Sequence, residues 1–243
     1  MNSAGPPTNP PEPNLWQTIL YGEEAILLRH PDCAAVGPVV AALRGLGDTR
    51  LGEIVPSYGS ILVLAAPGAN RLDFIEPINQ VLRSNVKQKE TVGNVFRIPC
   101  CYELGPDLEC AAKELALSPD RLVELHGQIV YTVFAIGFQP GFPYAGWLPE
   151  EISGLTRRAS PRVRVEPGSV GITGRQTGIY PSASPGGWNL IGVTPCQLVD
   201  LEKGWFALKA GDKIRFVPVK EAEFNQLRKS HPEVEPDLFG QSP

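Results

Sequence analysis

Histidine and cysteine are both scarce in this 243-residue sequence, which holds three of the first and five of the second. No two histidines (His30, His126, His231) stand four residues apart, which excludes a metal-binding pair on one helix face. The cysteines (Cys33, Cys100, Cys101, Cys110, Cys196) are odd in number and form no C-x-x-C, so neither a metal cluster nor a disulfide framework is expected. Reduced thiols in a cytoplasmic protein fit best. Cys100 and Cys101 would alternate faces on a strand, which places one of them in the core. No apolar run reaches the roughly 18 residues of a membrane-spanning helix. The first residues lack the basic and apolar regions of a secretory signal. There is no phosphate-binding G-x-x-x-x-G-K-[ST], no dinucleotide fingerprint and no G-x-S-x-G nucleophile elbow. Net charge is −4 with no dominant basic stretch, so a nucleic-acid footprint is not expected.

What is abundant is glycine and proline, 25 of each. Both oppose helix interiors, and a helical bundle or coiled coil is excluded. Pro6, Pro7, Pro10, Pro11 and Pro13 crowd into residues 1–14, which read as a disordered tail. Residues 15–93 read as a small α+β domain. Strand signals lie at 24–29, 51–58, 60–65 and 94–99, and helix signals at 37–45 and 70–82, where Pro77 should kink the second helix. That βαββαβ order is the ferredoxin-like pattern. It carries isolated charges and no chemistry, so a scaffold or interaction role is its default.

Two short helices follow within residues 106–127, with Asp107 as a cap for the first and Ser118-Pro119 as a start signal for the second. His126 then sits at a helix C-terminus, where the macrodipole favours the imidazolium. Between Gly137 and Pro195 glycine and proline are densest, separating strand-like runs at 130–136, 162–165, 169–173 and 189–193. Short strands with tight turns suit a β-barrel over 94–220, with a C-terminal helix and tail at 221–243. Every basic residue in the dense block is arginine (Arg157, Arg158, Arg162, Arg164, Arg175), and no lysine occurs from 114 to 202. Arginine's planar fork pairs with carboxylate or phosphate. Aromatic residues are interleaved: Phe138, Phe142, Tyr144, Trp147, Tyr180 and Trp188. An arginine-and-aromatic wall around a small anion and a barrel rim of snorkelling arginines remain equal readings at this point.

The runs GFQPGFPY (Gly137 to Tyr144), Ser160-Pro-Arg162, Pro167 to Val170, Gly174 to Pro181 and Ser184 to Trp188 resemble the family of the 5-oxoprolinase B subunit. That family is also called allophanate hydrolase subunit 1 and includes a sporulation-kinase inhibitor. The resemblance extends to Gly105-Pro-Asp-Leu108, Leu125-His126 and Gly211 to Val217, and covers residues 96–219 most strongly. Glu166 and the proline-rich tail are departures from the pattern. The resemblance implies a cyclophilin-like barrel for the second half, the 5-oxoprolinase C and A subunits as partners, and ATP-dependent opening of 5-oxo-L-proline to L-glutamate. It implies ATP, with Mg, at a site that a partner subunit can share. Within the matched motifs, His126, Arg162 and Gln176 are the catalytic candidates. Phe142, Tyr144, Arg158, Arg175, Tyr180 and Trp188 are the candidates for binding 5-oxoproline. Inhibition of a histidine kinase, and urea- or allophanate-related amide hydrolysis, are the alternatives the family implies.

Overall fold

The structure is a computed structural model and describes residues 15–84 and 93–235. The tail at 1–14 and the chain after residue 235 lie outside the described residues. The protein is mixed α and β, mostly sheet, and divides into two compact units, Met1–Glu90 and Thr91–Pro243. No helix of the described residues is long and apolar enough to cross a membrane.

The first unit runs β1 (Gln17–Tyr21), β2 (Ala25–Arg29), α1 (Val36–Gly45), β3 (Leu51–Ser57), β4 (Ser60–Ala65) and α2 (Ile75–Arg83). Its sheet is antiparallel in the order β1-β2-β4-β3. The core gathers Ile26, Leu28, Ile61 and Val63 from the strands with Val39, Leu43, Phe74 and Ile78 from the helical segments. The expected βαββαβ order needs correction at both ends. The segment at 94–99 is not a strand of this sheet; its place beside β2 is taken by β1, whose five residues are all exposed. An exposed strand leaves no alternating pattern in the sequence. Pro77 does not kink a long helix either. Asn70 caps a 3-10 turn at Arg71–Phe74 by accepting from the Leu72 N–H at 2.9 Å, and α2 starts at Ile75. Pro77 thus falls in the first helical turn, where its missing N–H costs nothing.

The second unit contains β5 (Val95–Cys100), α3 (Leu108–Glu114), α4 (Pro119–Gly127), β6 (Val130–Ile136), β7 (Pro143–Gly146), β8 (Arg162–Val165), β9 (Ser169–Thr173), β10 (Gln176–Ile179), β11 (Ser184–Gly186), β12 (Asn189–Val193), β13 (Val199–Asp200), β14 (Trp205–Phe206), β15 (Lys213–Pro218), α5 (Glu221–Gln226) and β16 (Glu233–Val234). Eight strands form one sheet in the order β12-β9-β10-β7-β6-β15-β5-β16, with β15 and β5 parallel. The sheet curls on itself. Cys101, just after β5, exchanges two backbone hydrogen bonds with Val193 at the end of β12, at 2.8 and 3.0 Å. This closure covers both faces at the strand end, so Cys100 and Cys101 are both buried, not one as alternation alone suggests. Inside lie Ile98, Tyr131, Val133, Ile172, Ile179, Ile191 and Phe216.

Candidate functional site

The segment before α3 carries a buried carboxylate, Asp107. Asp107 stands at the N-cap position of α3 but caps nothing with its side chain. Its Oδ1 accepts from Arg158 Nη1 at 3.0 Å and Arg162 Nη2 at 2.7 Å, while Oδ2 accepts from the Leu190 N–H at 2.7 Å. The capping expectation is therefore corrected: two guanidinium ions hold a carboxylate more strongly than neutral helix N–H groups do. Gly105, two residues earlier, lets this happen, because a Cβ there would overlap the Ile191 backbone. Asp107 is 4% exposed, so its charge is compensated inside the protein. Arg162 Nη1 is also buried and has no hydrogen-bond partner.

Beside this group opens a cleft of about 360 Å³ lined by Asp107, Arg157, Arg158 and Asn189, with Cys110 and Glu114 from α3. In the lining Arg157 and Arg158 balance Asp107 and Glu114, and Arg162, bound to Asp107 from outside it, adds one further positive charge. Arg164 and Glu166 do not enter it: they pair with each other at 2.6 Å on the exposed side of β8. The cleft suits one small anionic group.

Next to the arginines, Phe142, Tyr180 and Trp188 pack with Val165 and Leu190, and Tyr144 lies against them. The rings meet edge to face with centroids 4.9 to 5.9 Å apart, an arrangement worth about 0.5–1.5 kcal/mol per pair. Gly186 has no Cβ because the Tyr180 ring and hydroxyl occupy that space. Burial pushes the Tyr180 phenol up, opposed by the Trp188 N–H and by the nearby charges of Arg157 and Arg162. Phe142, Tyr180 and Trp188 are at most 4% exposed. As an open wall for substrate they are corrected to a small core, and the aromatic beside them that faces solvent, as Trp147 does elsewhere, is Phe138. It is 60% exposed, at φ +65°, and edge-on to Phe142 and Tyr180.

His126 lies elsewhere. Ser118 caps α4 by accepting from the Arg121 N–H, and Pro119 occupies the first turn. The last turn then drives His126 into the barrel, fully buried, with its ring 4.5 Å from Phe216. Nδ1 is 2.6 Å from the Tyr102 hydroxyl and Nε2 is 2.9 Å from Thr177 Oγ1. Thr177 donates to the Gly171 carbonyl, so the network is satisfied with the proton on Nε2 and Tyr102 donating to Nδ1. Burial pushes the imidazole pKa down to about 3. The expected imidazolium is corrected, since a helix end offers at most about 2 kcal/mol and desolvating the cation costs more. Arg175 lies in the β9–β10 turn, its guanidinium 5.1 Å over the Trp147 ring, and Gln176 opens β10 opposite Thr173. Neither lines the cleft.

The structure thus brings Arg158 and Arg162 together, gathers Phe142, Tyr144, Tyr180 and Trp188 beside them, and leaves His126, Arg175 and Gln176 in other surroundings. Asp107 was missed as a site residue. The available signal was an acid inside the Gly105–Leu108 motif of a chain that has arginine and no lysine from 114 to 202. ATP with Mg fits less well. No three His, Cys, Asp or Glu among the described residues stand together to hold a metal ion, and Arg158 and Arg162 share one carboxylate oxygen. No step through ATP is assigned to these residues.

The sequence model of the carboxyltransferase domain, subdomain C and D, matches residues 16–208. The chain is 43% identical over 173 residues to the 5-oxoprolinase B subunit of Escherichia coli O157:H7, covering 70% of this chain and 78% of that protein. This chain belongs to the 5-oxoprolinase B subunit family. A crystal structure of the protein TTHA0988 superposes on it with a TM-score of 0.70 and 31% identity over 82% of this chain. This family member spans 40% of the length of that solved chain. The K. lactis urea amidolyase superposes with a TM-score of 0.68 over 90% of this chain and 16% of its own, at 18% identity, which is a likeness of fold alone.

Proposed function

We propose that this chain is the B subunit of an ATP-dependent 5-oxoprolinase, opening the lactam of 5-oxo-L-proline to L-glutamate with the C and A subunits. The observation that carries the reading is the cleft lined by Asp107, Arg157 and Arg158, with Arg162 paired to the same carboxylate from behind, in a chain of this family. 5-Oxoproline is a small carboxylate with an unreactive amide in a five-membered ring. Arg158 holds its carboxylate with the N–H donors it does not give to Asp107, and Arg162 supports the Asp107 carboxylate behind it. On this reading ATP would supply the activation of the unreactive lactam carbonyl, at a site that a partner subunit completes and that these residues do not form. His126 keeps the cyclophilin-like barrel closed around α4 and moves no proton.

The test is ADP release dependent on 5-oxoproline from the chain mixed with its partner subunits, each left out in turn. Release that needs all subunits supports the reading. No release from the complete folded mixture overturns it.

A further inference from the structure

The Gly105–Leu108 motif holds one charged group with no part in that reaction. Asp107 uses its two oxygens unevenly: both guanidinium groups crowd onto Oδ1, and Oδ2 is taken by the Leu190 N–H. An ion pair built only for stability forms a parallel fork, with each amino group of one arginine facing its own oxygen. Here Arg162 Nη1 is instead left buried without an acceptor, an arrangement that costs stability unless something else supplies one. Arg158, 40% exposed at its side chain, reaches the same oxygen from the cleft side.

We propose that Asp107 is a positioning residue: with Arg162 paired to the same oxygen behind it, it fixes Arg158 at the cleft so that the N–H donors Arg158 does not give to Asp107 are already set for a carboxylate. This rests on the reading of the chain as a 5-oxoprolinase subunit that binds 5-oxoproline here. Long arginine side chains lose rotamer freedom when they close on a ligand, and a buried carboxylate that holds them beforehand removes that cost. Oδ2 and the Asp107 backbone N–H, which donates to the Leu190 carbonyl at 2.9 Å, anchor the carboxylate itself to β12. The carboxylate of the clamp therefore rides on the barrel, and it ties down Arg158, which lies in the exposed loop at 156–161.

Cys110 gives a readout independent of turnover, because this exposed thiol lines the same cleft. The full chain is treated with N-ethylmaleimide at rising 5-oxoproline, and the Cys110 adduct is followed by peptide mass. In the wild type 5-oxoproline slows the adduct. Asp107→Asn raises the half-protecting concentration at least about tenfold, and the double variant with Arg158→Ala is no worse than Arg158→Ala alone. Asp107→Glu keeps the charge but moves it by one methylene, so it too raises that concentration; it carries the test if the Asn variant does not fold. In the complex with partner subunits, Asp107→Asn raises KM for 5-oxoproline more than it lowers kcat. Wild-type protection that both Asp107 variants retain, losses that multiply in the double variant, or no protection of the wild type each overturn the proposal. Protection without any ADP release from the wild-type complex overturns the enzymatic reading and leaves the clamp standing.

Discussion

Arg162 meets Asp107 through a single short contact, Nη2 to Oδ1 at 2.7 Å, and its other amino group is buried without a partner. Removing this side chain therefore removes more binding capacity than stability. With Arg162→Ala, Asp107 keeps Arg158 and the Leu190 N–H, so the expected stability loss is about 1–3 kcal/mol. Turnover of 5-oxoproline by the complex is expected to fall at least about tenfold. Thermal melts and ADP release measured on the same preparation check both; unchanged turnover takes Arg162 out of the site.

His126 predicts an acid-sensitive barrel. Its folded pKa is lowered to about 3, whereas an unfolded histidine titrates near 6.5. Between those values the unfolded chain takes up a proton that the folded one refuses. The stabilisation is complete above about pH 6.5 and is lost at roughly 1.4 kcal/mol per pH unit as pH falls toward 3. His126→Gln, neutral throughout, is expected to be less stable at pH 7 and flatter with pH. Urea midpoints from pH 8 down to 4.5 distinguish them, and parallel profiles mean that the folded imidazole is charged.

Cys110 is the exposed thiol of the cleft, while Cys100, Cys101 and Cys196 are buried. Maleimide is expected to label Cys110 well ahead of those three, and the adduct to lower ADP release by the complex several-fold. Cys110→Ser is expected to keep activity and escape the inhibition. Equal inhibition of this variant places the sensitive thiol elsewhere.

Gly105→Ala tests the approach of the Asp107 segment to β12. The added Cβ would overlap the Ile191 backbone, which cannot swing aside as a side chain does. A loss of about 3 kcal/mol or more is expected, together with loss of Cys110 protection by 5-oxoproline. A stability within about 1 kcal/mol of wild type would mean that the segment can retreat from the sheet.

Much of the second unit was readable from spacing. The strands expected at 130–136, 162–165, 169–173 and 189–193 are β6, β8, β9 and β12, because dense glycine and proline leave only short extended runs between turns. The Ser118-Pro119 start of α4 was equally legible, being local chemistry between a hydroxyl and an N–H three residues away. The exposed strand β1 and the partner of 94–99 were not, since neither leaves a pattern within its own few residues.

The site divides along the same line. Arginine was favoured over lysine throughout the dense block, and the family motifs marked the block as the place to look. Which arginines act together could not be seen, because Arg158 and Arg162 are joined by a carboxylate 51 and 55 residues away. His126 shows the limit most plainly. Its place at a helix end is written in the chain and argues for a cation, but burial outweighs the helix dipole and keeps it neutral. By itself the sequence determined where this protein turns, where its strands lie and which residue types crowd the barrel. The tertiary structure alone decided which charges are paired, which rings are open to solvent and which histidine is dry. Pairing and desolvation depend on distances between segments far apart in the chain, and those distances exist only once the sheet has closed.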